Sequence, residues 1–298
     1  MSFTSRVWAK RHRSIYQAAS SRGREIVNLD GLRSVDSSST ISVEARGAIE
    51  ILTLKRPESL NALNAQLIAE LGAYFSGLHG RNDVRVVLMR GAGRGFCAGV
   101  DLKEVRSKEA RVHTTLKRQK SIGHIVKMMR SCPQPIIGLG HGAACGGGFS
   151  FFMACDVRYA APSLKMNAAY IKIGITGCDA ASSYLLPRLV GASVASEFLL
   201  TGRFMTAERA KAVNLVSEIV EEDKLLETGL ELAGDMLRAS PLGLRLTKDA
   251  LNFSIDAPSM EAAMAMEDRQ QVLLTFTDDY AEARSAFIER RTPTFQDR

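Results

Sequence analysis

The chain has few cysteines, and none of them stands in a paired arrangement. Five cysteines occur among 298 residues, with no CxxC motif and no histidine at the spacing of a metal site. This pattern excludes a disulfide framework and a zinc-binding module, so no metal is expected. We predict that the protein occupies a reducing compartment and that all five cysteines are small residues packed in the fold. They are Cys97, Cys132, Cys145, Cys155 and Cys178.

The chain also lacks a long apolar run. No segment approaches the roughly 20 consecutive apolar residues of a membrane-spanning helix, and none resembles the core of a secretory signal. Hydrophobic residues nevertheless make up 46% of the sequence, which is enough for a large core in a chain of this length. The sequence therefore predicts a globular protein without a membrane span.

Acidic residues are missing from the first 24 positions, which hold six of the 39 basic residues. The rest of the chain has 33 basic and 32 acidic residues, so its folded part is nearly neutral. A protein that binds nucleic acid carries its basic patch on the folded domain, so nucleic acid is excluded as a partner of this chain. Residues 1–38 are predicted to be a mitochondrial targeting leader or a disordered basic extension, with the matrix as location and the cytoplasm as the alternative.

Two glycine-rich turns follow apolar, strand-like runs. The first run, 84–90, leads into GAGRGFCAG, and the second, 136–140, leads into HGAACGGG. Consecutive glycines have no Cβ atoms, so a ligand can approach the N–H groups of this backbone closely. The residues that follow can begin a helix, whose N-terminus carries a partial positive charge. Two such units can offer two N–H groups to one oxygen, although glycine triplets also serve tight turns and close packing.

Strand-like and helix-like segments alternate along the chain, which indicates an α/β layer architecture. Two strands with a turn at Gly47 precede an amphipathic helix over 61–78, and helices are predicted near 108–130, over 147–154 and over 180–190. Beyond Pro241 the pattern is helical only. Ser259 and Thr277 are the predicted N-caps of its last two helices.

Two segments resemble the signature regions of the crotonase, or enoyl-CoA hydratase/isomerase, superfamily: RGAGRGFCAGVDLKE at 90–104 and IGLGHGAACGGGFSFFMACDVRYA at 137–160. Shorter segments resemble the family in the same order, so the resemblance covers about residues 40–298. It implies a spiral of ββα units over 39–240. It also implies a C-terminal helical region, 241–298, that packs against neighbouring subunits in a homotrimer or homohexamer.

The resemblance further implies an acyl-CoA thioester as substrate, with coenzyme A as part of the substrate and no separate cofactor. An enolate forms from the thioester, and the backbone N–H groups of Val100 and Gly147 polarise its oxygen. Residues matched to coenzyme A contacts of the family are Ala62, Arg94, Ala98, Lys103, Phe287 and Arg290.

The chain departs from the family at the acid/base positions. Where hydratases carry two glutamates, this sequence has Ser150 and Tyr170, so two-glutamate hydration is disfavoured, and both residues are expected at the substrate. Asp179 lies one residue from the position of an aspartate in dienoyl-CoA isomerases. It is either a proton shuttle or, on general grounds, the N-cap of the helix over 180–190. His141 is expected to be a hydrogen-bonded structural residue.

Three functions remain open on this basis. The first is an acyl-CoA-processing enzyme of fatty acid β-oxidation, of the hydratase/isomerase type. The second is a dienoyl- or enoyl-CoA isomerase that uses Asp179 alone. The third is a non-catalytic homologue that binds acyl-CoA.

Overall fold

The computed structural model describes residues 38–104 and 111–298. The predicted leader lies outside these residues, except for Ser38. From Ser39 to Arg298 the chain clusters into one compact unit. The predicted division of this unit at residue 240 stays a prediction.

Within the described residues the chain forms nine strands. They are β1 (Ile41–Arg46), β2 (Ile49–Leu54), β3 (Val86–Gly91), β4 (Ile136–Gly140), β5 (Ala143–Cys145), β6 (Val157–Ala160), β7 (Lys165–Asn167), β8 (Met205–Thr206) and β9 (Glu218–Ile219). Six of them make one sheet in the order β1-β2-β3-β4-β6-β9, and β5-β7-β8 make a second. The β1–β2 pair is antiparallel, whereas every other pair of the larger sheet is parallel.

Ten α-helices are found in the same residues. They are α1 (Ala65–Gly77), α2 (Val112–Ser131), α3 (Gly147–Ala154), α4 (Ser182–Val190), α5 (Ala192–Thr201), α6 (Ala207–Ala212), α7 (Leu225–Leu237), α8 (Pro241–Ser254), α9 (Met260–Leu274) and α10 (Asp278–Glu289). The predicted α/β architecture is confirmed. The strand over 136–140 and the helix over 147–154 have the predicted bounds.

The larger sheet is covered by helices on both faces. Because side chains alternate along a strand, Val87 and Met89 of β3 face a core shared with α1, α2 and α3. Their neighbours Val86 and Leu88 face a second core, which is closed by α7. Because β3 and β4 are parallel, their carboxyl ends lie at the same edge of the sheet. The two glycine-rich turns that follow these strands therefore meet at that edge.

The C-terminal helices begin at the predicted caps. The side chain of Ser259 accepts a hydrogen bond from the Ala262 amide at the start of α9, and Thr277 accepts one from Tyr280 at the start of α10. Both hydroxyls satisfy amides that have no partner inside the helix. None of the described helices is long and apolar enough to cross a membrane.

The cysteines are all free. Cys97, Cys132 and Cys155 are buried as predicted, and Cys145 is partly buried. The prediction of a packing role is wrong for Cys178, which is exposed.

A buried lysine ties the C-terminal helices to the core. Lys248 of α8 is 5% exposed, and its Nζ forms an ion pair of 2.9 Å with Asp156. The same Nζ donates to the carbonyl oxygens of Met129 and Gln134 at 2.9 and 2.8 Å. Asp156 also accepts from the Ile136 amide at the start of β4, so one network joins α8, α2 and the central strand.

We predict that Lys248→Met lowers the free energy of unfolding by about 3 kcal/mol, because two carbonyls and part of a carboxylate lose their buried partner. The matched control is Lys211→Met, since Lys211 pairs with Glu218 at the surface at 3.2 Å. That change is expected to cost less than about 1 kcal/mol. Urea unfolding of both variants is the measurement, and equal midpoints would contradict the assigned role of Lys248.

Candidate active site

The two glycine-rich turns are joined backbone to backbone. The amide of Phe96 donates to the carbonyl of His141, and the amide of Cys97 donates to Ala143, both at 2.9 Å. The amide of Cys145 donates in return to the carbonyl of Cys97 at 2.9 Å. The turn after β3 therefore runs parallel to the turn after β4.

Two glycines are required by this close approach. A Cβ atom on Gly148 would lie 2.1 Å from the carbonyl oxygen of Cys97, which no side chain permits. Gly99 has a φ of +91°, and a Cβ there would lie 2.7 Å from the carbonyl oxygen of Cys145 and 3.3 Å from the Gly147 nitrogen. For Gly148 of the triplet the structure therefore shows the alternative reason, close packing of backbone, while the approach of a ligand to the triplet stays a prediction.

The same contact places Gly99, the residue before Val100, next to the backbone nitrogen of Gly147. Val100 directly follows Gly99, and Gly147 is the first residue of α3. Neither amide donates a hydrogen bond to another described residue. The Gly147 amide also lies at the positive end of a helix. Two unpaired N–H groups at such a point can bind a partial negative charge on one oxygen.

A third segment, residues 56–63, holds the first turn in place. The amide of Leu63 donates to the carbonyl of Gly99 at 2.7 Å, and the amide of Ala98 donates to Leu60 at 2.9 Å. Asn61 is fully buried, and its Nδ2 donates to the carbonyls of Ala92 and Gly95 at 2.9 and 2.8 Å. This amide side chain joins residues that lie 31 and 34 positions apart in the sequence.

Arg56 is a further residue that the sequence did not single out. Its guanidinium pairs with Asp101 at 3.1 Å and also donates to the carbonyl of Ala62. Both ionic side chains are largely buried, so the pair fixes the loop next to Val100. Residues 56–63 read RPESLNAL, and only the fold shows that Arg56 and Asn61 in this segment contact residues 92–101.

Ser150, Tyr170 and Asp179 lie together beyond the two amides. Ser150 Oγ, one turn into α3, donates to the carbonyl oxygen of Asp179 at 3.2 Å. Tyr170 belongs to a short 3-10 segment, Ala169–Ile173, and is 5% exposed. Burial raises the pKa of Tyr170 to about 12, against the lowering effect of the Ser182 and Ser150 hydroxyls. The phenol is therefore a donor, and it cannot act as a base near neutral pH.

The N-cap role proposed for Asp179 is wrong. Helix α4 begins at Ser182, and its N-cap, Ala181, makes no side-chain cap bond. Instead, the Asp179 amide donates to Ser182 Oγ at 2.9 Å, and the Asp179 carbonyl accepts from the Ser182 amide at 2.8 Å. Ala180 and Ala181 both have positive φ, 41° and 67°, and such strained turns occur mainly at functional sites.

The carboxylate of Asp179 is half-buried at the site. Its Oδ1 accepts a hydrogen bond from Gln119 of α2, a contact between residues 60 positions apart that no motif indicated. Burial raises the pKa of Asp179, and hydrogen bonds from the Ala180 amide and from Gln119 only partly oppose this effect. A carboxylate with a raised pKa is a stronger base than an exposed one.

The residues matched to coenzyme A contacts fall into two groups. Ala62 and Ala98 lie in the loops that hold the first turn, and the side chains of Arg94 and Lys103 are exposed beside it. Neither of these cations forms an ion pair with a described residue. Their charges are thus available to an anionic ligand that reaches Ala62 and Ala98.

Phe287 and Arg290 belong to the other group, in α10 and at its end. Phe287 is 86% exposed and lines a cavity of about 390 Å³ between α9, α10 and the residues after α7. None of the residues that line this cavity belongs to the glycine-rich turns or to residues 56–63. The cavity at Phe287 is thus separate from the loops that contain the first group.

His141 directly follows β4 and is buried. His141 is 7% exposed, and its Nε2 forms a hydrogen bond of 2.9 Å with the carbonyl of Gly93, which confirms its structural role. Among the described residues, no group of three or more histidines, cysteines or acids could hold a metal ion.

Known proteins are similar to this chain in sequence and in fold over most of its length. A sequence profile for the family described as enoyl-CoA hydratase/isomerase matches residues 44–298. A probable enoyl-CoA hydratase of Mycobacterium tuberculosis is 36% identical over 85% of this chain and 90% of its own length. The 1,2-epoxyphenylacetyl-CoA isomerase of Escherichia coli is 31% identical over 82% of this chain and 93% of its own length. The crystal structure of a putative enoyl-CoA hydratase from Streptomyces coelicolor covers 87% of this chain and 94% of its own, with a TM-score of 0.83 and 34% identity.

We predict that Gly99→Ala destabilises the protein by about 2 kcal/mol, because the new Cβ meets a carbonyl oxygen and φ is positive. Gly123→Ala is the matched control. Gly123 lies inside α2 with no other atom within 4 Å of the Cβ position, so alanine is expected to stabilise by roughly 0.5–1 kcal/mol. Thermal unfolding compares the two. A Gly99→Ala protein as stable as the wild type would mean that the turns do not pack as described.

Proposed function

The chain belongs to the enoyl-CoA hydratase/isomerase family, and from this premise we propose that it is an acyl-CoA-processing enzyme that stabilises a thioester enolate. The observation that carries the proposal is the pair of unpaired amides at Val100 and Gly147, where the turns after β3 and β4 make their closest contacts. In the proposed reaction, these amides donate to the thioester oxygen as it becomes negative. Loss of one such donor in other enzymes lowers the rate by about 10²–10³.

Asp179 is the proposed proton shuttle. In a shift of the double bond from C3–C4 to C2–C3, the carboxylate removes a proton from C2, and the electron pair moves into a dienolate held by the two amides. The carboxylic acid then returns that proton to C4, the new double bond forms between C2 and C3, and the thioester carbonyl is restored. One residue is sufficient for both transfers, so the absence of glutamates at 150 and 170 does not prevent this reaction.

Hydration is the less favoured reaction, because the site has only one proposed acid/base residue, Asp179. Adding water across the double bond needs a base that activates the water and an acid that protonates C2. The Ser150 hydroxyl is engaged with the Asp179 carbonyl. Tyr170, whose pKa is raised to about 12, is too weak an acid and too scarce as a phenolate to replace a glutamate. Isomerisation therefore agrees better with this set of residues.

The phosphate-rich coenzyme A part of the substrate is proposed to lie along Ala62 and Ala98, with Arg94 and Lys103 as cationic contacts. Phe287 and Arg290 join this surface only if a neighbouring subunit supplies them, which fits the predicted trimer or hexamer. A role in fatty acid β-oxidation and the oligomeric state stay predictions. The composition of the leader favours the mitochondrial matrix, whereas the bacterial relatives agree with the cytoplasmic alternative.

The non-catalytic alternative predicts binding without turnover. We expect the purified protein to convert a 3-enoyl-CoA or a 3,5-dienoyl-CoA and to hydrate crotonyl-CoA poorly. Ultraviolet absorbance of the conjugated thioester follows all three reactions, and calorimetry with a saturated acyl-CoA measures binding. Fast hydration of crotonyl-CoA would overturn the isomerase assignment, and binding without any turnover would establish the non-catalytic alternative.

Replacement of Asp179 is expected to separate catalysis from folding. Asp179→Asn keeps the backbone bonds to Ser182, so the melting temperature should change little, whereas turnover should fall by about 10² or more. The control is Asp256→Asn, because Asp256 is an exposed carboxylate that pairs with Arg188 at 3.5 Å at the surface. Turnover of Asp179→Asn equal to that of the control would remove Asp179 from the mechanism.

The pH dependence of the reaction follows from the same residue. Asp179 must be ionised to remove a proton, so kcat/KM should fall as the pH drops through its pKa. Burial raises that pKa, and the phenol of Tyr170 beside it, whose own pKa is raised to about 12, keeps its proton in this range. We expect the acid limb of the profile above the pH of about 4 that is typical of an exposed aspartate. A limb centred at or below that pH would contradict the assignment.

A further inference from the structure

Gln119 links helix α2 to the carboxylate of Asp179. Its Nε2 donates to Asp179 Oδ1 from the exposed first half of the helix. The buried side chains of α2 all come later in the sequence, from Ile122 to Met129. Among the described residues, no other hydrogen bond or ion pair joins residues 111–121 to another element. The first half of α2 therefore makes one specific polar contact, and it makes that contact with the proposed proton shuttle.

The carboxylate of Asp179 has a second donor, the amide of Ala180. This donor belongs to the next residue in the chain, so it moves with the same turn. The turn itself is held by the two hydrogen bonds between the Asp179 backbone and Ser182, which leave the side-chain torsions of Asp179 free. Of the described donors to this carboxylate, Gln119 alone fixes it from a separate element.

Helix α2 also packs on the helix that supplies one of the two unpaired amides. The second half of α2 contacts α3, whose first residue is Gly147, and buried side chains of both helices belong to one core. The Gly147 amide and the Asp179 carboxylate are thus tied to the same pair of helices. A proton shuttle needs such a tie, because its distance from the reacting carbons depends on where the thioester oxygen is held.

We propose that Gln119 is a positioning residue, which holds the Asp179 carboxylate at a fixed distance and angle from the two amides. This inference rests on the proposed function and assigns Gln119 a role that acts only through Asp179. A glutamine amide is a neutral donor, so it can orient a carboxylate without pairing with it as a cation. A lysine or arginine in its place would lower the pKa of Asp179 and make the carboxylate a weaker base.

No charged group competes with this contact. Burial, the Ala180 amide and Gln119 are the causes of the shifted pKa of Asp179, and none of them is a charge. Helix α3 carries no titratable side chain. The titratable and charged side chains on the other neighbouring elements are Tyr170 and Lys172 of the 3-10 segment, Cys178 of the same loop, Tyr184 and Arg188 of α4, and Arg118 and Lys120 on either side of Gln119 in α2.

The experiment removes the Gln119 donor in two ways. Gln119→Leu has a similar volume and no donor, and Gln119→Glu keeps the shape but places a negative charge beside Asp179. The matched control is Gln270→Leu, because Gln270 of α9 also donates to an aspartate, Asp249 of α8, at 3.0 Å at the surface. Turnover of 3-hexenoyl-CoA is followed by the absorbance of the conjugated thioester, across the acid limb and the plateau of the pH profile.

On the plateau, kcat of both Gln119 variants should fall roughly tenfold to a hundredfold with little change in KM, since a misplaced base slows the reaction without weakening binding. The acid limb should move to higher pH in Gln119→Leu, because the ionised carboxylate loses a donor. It should move further in Gln119→Glu, because a like charge is added. Melting temperatures should stay close to that of the wild type, since the contact is exposed.

The outcomes separate this inference from the proposed function. If Asp179→Asn is inactive while the Gln119 variants match Gln270→Leu in kcat and in acid limb, the positioning role is overturned and the proposed function stands. A lower kcat with an unmoved limb and a lower melting temperature would show that Gln119 is only structural. Full turnover by Asp179→Asn would overturn the proposed shuttle, and this inference with it.

Discussion

The contact between the backbone of the turn after β3 and that of the turn after β4 is the constraint on which the site depends. The carbonyl of Cys97 occupies the space that a side chain would take on Gly148, and Gly99 stands equally close to the carbonyl of Cys145. Any Cβ at these positions would force the two turns apart. The unpaired amides of Val100 and Gly147 are a consequence of this packing, since both flank the closest contacts.

The surroundings of the two turns keep this contact rigid. Asn61 and the Arg56–Asp101 pair hold the first turn against residues 56–63, and they are buried side chains with most of their hydrogen-bonding groups satisfied. Helix α3 is buried along its whole length, which fixes the direction of its N-terminus. Donors that are oriented in advance need no rearrangement when charge develops on the substrate, which is the main source of this kind of stabilisation.

The acid/base side of the site is built differently. At the two positions where hydratases of the family carry glutamates, this chain has the hydroxyl side chains of Ser150 and Tyr170. A single carboxylate, that of Asp179, remains, and it lies on a strained turn. The left-handed residues Ala180 and Ala181 cost roughly 1–2 kcal/mol each. The hydrogen bonds between Asp179 and Ser182 hold the turn in this conformation. The turn directs Asp179 toward Gln119 and raises its pKa by burial, a combination suited to moving one proton.

The sequence alone determined the strands and helices near the site, because their apolar periodicity, glycines and prolines are local features, and it determined the family through two motifs. It also indicated which positions lack the expected carboxylates. Only the tertiary structure decided that Asp179 is not a cap, that Gln119 contacts it across 60 residues, and that the Ser150 and Ser182 hydroxyls contact its backbone. These properties arise from contacts between segments far apart in the chain and from the exclusion of water. Neither cause produces a periodic pattern in the sequence from which it could be predicted.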